Sequence, residues 1–143
     1  LAGFVGNSRK NMMKKADNSE HKLLGIWAAD CAEHVLPNFE VYYPKDDRPR
    51  QAIAAARAWV LGNLKVTEAR KFALAAHAAA RNATRPESIA AARSAGHAAA
   101  TAHVPSHAKY AASYAAESTI DPKIEIEWQL QKLPRELSVP GLS

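Results

Sequence analysis

Apolar residues recur at steps of three and four along most of this chain. In SEHKLLGIWAADCAEHVL, Leu23, Ile26, Trp27, Cys31 and Val35 keep that spacing, which predicts a helix capped by Ser19 and bent or ended at Pro37. A second helix is predicted through RPRQAIAAARAWVLG. Asp47 precedes it, Pro49 falls in the first turn where its missing N–H costs nothing, and Gly62 stops it. Thr67 precedes EARKFALAAHAAARNA and Thr84 precedes RPESIAAARSAGHAAATAH, two further helical runs. Pro105 breaks the latter and opens a fifth helix through HAKYAASYAAE. Beyond Asp121 and Pro122, KIEIEWQLQKL reads two ways. Ile124, Ile126 and Trp128 alternate as in a strand, whereas Trp128, Leu130 and Leu133 fit one helical face; no partner strand is evident, so a helix is expected. The predicted fold is all-α, a compact bundle of five to six helices.

A repeat runs through this series. DRPRQAIAAAR at 47–57 matches TRPESIAAAR at 84–93 with one residue deleted, and Val66, Lys71 and Phe72 align with Val104, Lys109 and Tyr110 at an offset of 38. The bundle is therefore expected to contain two related helical hairpins, although a biased composition also generates such matches by itself. Two copies are fewer than a self-supporting solenoid needs, so the pair should close into a bundle with the first and last helices as lids. The expected organisation is a basic flexible arm at 1–18, the helical bundle at 19–118, and a C-terminal helix and tail at 119–143.

Composition sharpens the packing. Of 31 alanines, 29 lie between Ala28 and Ala116. Alanine has the best helix propensity and lets helix axes approach to about 8 Å, but it buries little area. Most hydrophobic stabilisation should then come from Trp27, Leu36, Phe39, Ile53, Trp59, Leu61, Phe72, Leu74, Ile89, Tyr110 and Tyr114.

Charge narrows the partners. The formal net charge is +5, yet Arg9, Lys10, Lys14 and Lys15 precede the first acid, Asp17, so the body is nearly neutral. A nucleic-acid binder would carry a basic stripe on its folded part, and its absence argues against nucleic acid. No run of eighteen apolar residues could span a bilayer, so no membrane role is expected. One cysteine, Cys31, leaves neither an internal disulfide nor a thiolate cluster, which suits a reducing, cytoplasmic setting. LAGFVGNSRKNMMKK lacks the apolar core of a secretory signal, and its opening Leu1 in place of methionine reads as a trimmed start.

Candidate chemistry centres on histidine. Arg93, His97 and Thr101 share one stripe, Arg70, Leu74, His77 and Arg81 another, and Asp30 and His34 stand one turn apart. Histidines among alanines need partners for both ring nitrogens, so an interhelical polar network is expected, with Asp30 as one acceptor. Asp30, His34, His77, His97, His103 and His107 could alternatively form a metal or small-ligand site. The Glu-x-x-His pairing typical of bundle metal sites does not occur, His97 and His103 diverge around a helix, and Pro105 interrupts His103 and His107. Structural histidines, no metal and no cofactor are expected. A Gly-rich phosphate loop, a nucleophile motif and a paired acid site are all missing, and Cys31 reads as a small buried apolar group, so no enzyme is expected. For partner binding, Tyr43 with Arg48 and Arg50 in PNFEVYYPKDDRPR offers aromatic and arginine anchors beside Phe39 and Tyr42, with Trp128 as a second cluster. The competing reading is that these aromatics cover the end of the bundle.

WAADCAEHVLPNFE, DDRPRQAIAAARAW, LAAHAAAR and SAGHAAATAHVPSHA together resemble a family of putative immunity proteins, small, alanine-rich and all-helical, over residues 23–116. The resemblance implies a protein that neutralises a cognate toxin by binding it, with no catalysis. A homo-oligomer stays open. The candidate binding set is Asp30, His34, Tyr43, Arg48, Arg50, His77, Arg93, His97, His103 and His107. The basic net charge argues against an acidic decoy of nucleic acid and for a partner with an acidic or mixed surface.

Overall fold

The computed structural model describes residues 2–137, with side chains placed from residue 18 onward. In chain order, α1 spans Ala2–Val35, the single turn α2 Pro37–Glu40, α3 Arg48–Val60, α4 Val66–Asn82, α5 Pro86–Ala100, α6 His107–Glu117 and α7 Pro122–Lys132, followed by a 3-10 turn at Arg135–Leu137. Among the described residues there is no strand, and the fold is an all-α bundle. KIEIEWQLQKL is helix: the Asp121 carboxylate accepts the Ile124 N–H and Pro122 occupies the first turn.

Most helix ends follow the punctuation in the sequence. Pro37 ends α1 and starts the turn of α2. Gly62, at φ 79°, closes α3: its N–H reaches the Trp59 carbonyl and the Asn63 N–H the Ala58 carbonyl, so two terminal carbonyls are satisfied. The start of α1 differs from expectation. It begins at Ala2, and Ser19 lies inside it rather than capping it. Residues 2–18 hold no proline and are rich in lysine, methionine and asparagine, so no breaker separates them from the run that follows. The side chains of the basic arm lie outside the described residues.

Helix α5 is the axis of the molecule, packed on by α1, α2, α3, α4 and α6. Ser88, Ala90, Ala91, Ala92, Ser94, Ala95, Gly96, Ala98 and Ala99 are all buried. Short side chains let the neighbours close in, and hydroxyls settle the register: Ser88 donates to the Asn38 carbonyl and Ser94 to the Ala111 carbonyl, both at 2.7 Å. Crowding of this kind also corrects the expected core. Trp27, Leu36, Phe39 and Ile53 are buried, whereas Leu61, Leu74 and Tyr110 are 73%, 60% and 45% exposed. The space between these helices is filled by alanine, which leaves no room for leucine between them.

The first helix is no lid. Trp27, Ala28, Ala29, Cys31, Ala32 and Val35 of α1 are buried against α3, α5 and α6. Helix α7 does lie outside, against α6 and α1, and it turns an unexpected face inward. Glu125 and Gln129, one turn apart, are buried, while Ile124 and Ile126 face solvent. Gln129 makes the joint: its side-chain Nε2 donates to the Ala112 carbonyl at 2.7 Å and its backbone carbonyl accepts the Trp27 indole N–H at 2.8 Å. Within the two expected hairpins, Phe72 lies beside Ala54, Ala55 and Ala58 of α3, whereas Tyr110 faces His97 of α5. No helix among the described residues is long and apolar enough to cross a membrane.

Candidate functional site

Three of the candidate histidines meet where α4, α5 and α6 come together. Arg93 of α5 donates from Nη1 to Nδ1 of His77 on α4 at 2.9 Å. A guanidinium only donates, so His77 Nδ1 is the bare nitrogen and the ring proton sits on Nε2. The His77 ring stands edge-on to His97, with centroids 4.9 Å apart. Across α5, Nδ1 of His97 and Nδ1 of His107 are 2.9 Å apart, a hydrogen bond that requires one to donate and the other to accept. Tyr114 stacks on His97 at 5.3 Å and 7°, and Tyr110 tilts over it at 5.5 Å.

Electrostatics keep these rings uncharged. Burial, and then the Arg93 charge for His77 and the His77 ring for His97, push both imidazoles down to about 4. His107 is lowered by burial and by His103, which is exposed on the loop between α5 and α6. Arg81, near the end of α4, adds to the positive field at His77.

Asp30 and His34 belong elsewhere. Asp30, expected as a histidine acceptor, instead receives Arg57 of α3 at 3.0 Å, and Glu33 receives the same guanidinium. His34 bonds through Nδ1 to the buried Glu125 carboxylate at 2.8 Å and stacks on Trp128 with centroids 3.6 Å apart. Asp30, Glu33, His34, Trp128 and Lys132 line a notch of about 340 Å³ between α1 and α7. The Asp/His set is thus split between two sides of the molecule. Among the described residues no three His, Cys, Asp or Glu side chains are placed to hold a metal ion. Burial raises the Cys31 thiol well above its ordinary range, which disfavours a thiolate.

The loop candidates are tied to near neighbours. Arg48 forks onto Asp46 and Arg50 onto Glu40. Tyr43 packs on the fully buried Phe39, and its hydroxyl accepts the Thr84 N–H at 2.9 Å. Tyr43 thus joins α2 to the entry of α5. Sequence reasoning placed Arg81 on the His77 stripe but missed Glu125 as the partner of His34. Nothing on α7 alone marks Glu125, which Ile124 and Ile126 flank at about 100° to either side.

A family model described as Imm-5 like putative immunity protein matches residues 14–136. The chain belongs to that family. The immunity-protein match extends past the span 23–116 legible from the sequence motifs and takes in α7 together with its Glu125 and Gln129 joints. No curated protein and no solved structure matches the chain.

Proposed function

We propose that the chain is an immunity protein in the literal sense, one that neutralises a protein toxin by covering part of its surface, without catalysing a reaction. The observation that carries this is the family match over residues 14–136, which takes in α2 to α7 whole and α1 from residue 14 onward. The polar chemistry supports the same reading. His77, His97 and His107 are spent on one another and on Arg93, and their depressed proton affinity suits neither a general base near neutral pH nor a charged acid. A masking protein needs only a stable, complementary surface.

The test is protection by co-expression. A host is made to produce, in turn, each toxic polypeptide encoded beside this chain's own gene, with and without the chain. Restored growth and co-elution of the two proteins are expected, with protection lost once the toxin is in molar excess, because masking is stoichiometric. Protection that persists at a small fraction of the toxin's amount would indicate turnover and reject the proposal, as would no protection against any of them.

A further inference from the structure

Cations on this molecule are distributed in two ways. Among the described residues, the arginines of α3 and at the start of α5 are neutralised: Arg48 by Asp46, Arg50 by Glu40, Arg57 by Asp30 and Glu33, and Arg85 by Glu87. The face shared by α4, α5 and α6 is different. Arg93 spends one N–H on the neutral His77 ring, and among the described residues no carboxylate pairs with Arg81, Arg93 or Lys109. A guanidinium held by an uncharged acceptor is oriented but not neutralised, and its remaining N–H groups keep their demand for an anion. The same face presents Tyr110, 45% exposed, with the Lys109 ammonium 5.3 Å from its ring, and Leu74, 60% exposed, three residues before His77 on α4.

We propose that this face docks an acidic segment of a protein partner, with Arg81 and Arg93 receiving its carboxylates, Lys109 at the edge, and Tyr110 and Leu74 making the apolar contact. The proposal rests on the reading of the chain as a toxin-binding protein and specifies where and by what chemistry it binds. Charge complementarity selects the partner. Arginine, tyrosine and an exposed leucine within one patch are anchors suited to a protein surface, whereas tracking a nucleic-acid backbone calls for a longer run of cations.

The experiment measures anisotropy of two labelled probes, an oligoglutamate peptide and an oligothymidylate of matched charge, with the full chain at low salt. Oligoglutamate is expected to bind, and to weaken about tenfold or more in Arg81→Gln/Arg93→Gln. The control pair Lys22→Gln/Lys45→Gln, on other surfaces, is expected to bind as the parent does. Unchanged binding in the first pair, equal loss in the control, or a preference for oligothymidylate would overturn the proposal. Should circular dichroism show Arg93→Gln misfolded, Arg81→Gln/Lys109→Gln carries the same test from exposed positions. In the co-expression assay, full protection by a folded Arg81→Gln/Arg93→Gln rejects this face while leaving the toxin-binding reading intact. No protection by the parent chain rejects that reading, and the probe measurements still decide the face.

Discussion

The His77 imidazole stands where a side chain on Gly96 would have to go. A Cβ built on Gly96 falls 2.7 Å from both Cε1 and Nε2 of His77, closer than non-bonded atoms approach. Glycine in the middle of α5 costs helix propensity, and here the missing methyl is the recess that seats the ring between Arg93 and His97.

Gly96→Ala therefore sets two effects against each other. Alanine gains about 1 kcal/mol of helix propensity, while overfilling a packed site costs about 1 to 3 kcal/mol. Because His77 is fixed by Arg93 and cannot swing away freely, the clash is expected to win. The variant should melt at a lower temperature than the parent, and the His77 ring resonances should shift. An unchanged or higher melting temperature would show that the ring gives way at no cost.

Stability should fall on acidification. His77 and His97 have folded values of about 4 against an ordinary 6.5, so between those limits the unfolded chain binds more protons and unfolding is favoured as the pH drops. The contribution is fully present above about pH 6.5 and is lost by about pH 4. Geometry agrees: a proton on His77 Nδ1 would point a donor at the Arg93 donor. Melting curves across this window should show the loss, and His77→Gln should flatten it even if it lowers stability at neutral pH.

Tyr43 and Arg50 should separate when mutated one at a time. Tyr43→Ala removes the acceptor of the Thr84 N–H and the ring that covers Phe39, so its melting temperature should drop. Arg50 is 60% exposed in its pair with Glu40, and an exposed pair of this kind contributes little, so Arg50→Ala should melt like the parent. Equal melting of both variants would return Tyr43 to the list of free surface anchors.

Phe39 is the largest fully buried side chain among the described residues, and it sits in a helix of a single turn. Phe39→Ala should cost about 3 to 5 kcal/mol in urea unfolding, since the alanines around it have no bulk with which to refill the space. A cost near 1 kcal/mol would mean that α2 collapses onto α5 instead.

Helices and their stops were legible from local rules. Pro37, Pro49, Gly62 and the Asp121–Pro122 pair each act through their own backbone chemistry and stand at or next to a helix end, and Pro105 lies two residues before α6. The stripes on single helices were legible too, since Arg93 and His97 on α5 and His77 on α4 do enter one network. What could not be read was which stripes face each other. Asp30 was matched to the histidines on charge alone, but Arg57 outcompetes them from α3. With so many alanines, any face of a middle helix passes for a core face, so Leu61, Leu74 and Tyr110 were assigned inward on size and turned outward in the fold. Polar burial on α7 was hidden for a related reason: the Glu125 and Gln129 side chains are each held by one hydrogen bond, to α1 and α6 respectively, which leaves no periodicity behind.

The inner wall made by α5 bears on how this chain can change over generations. A position occupied by alanine with its neighbours in contact has few replacements of the same volume, since glycine loosens the helix and serine needs an acceptor in reach, as Ser88 and Ser94 have. Drift is thereby channelled to the long outward side chains of α4 and α6, whose replacement disturbs little beneath them. On the docking face proposed above, Arg81, Lys109, Tyr110 and Leu74 can be rewritten, and the partner with them, while the interior stays almost letter for letter the same.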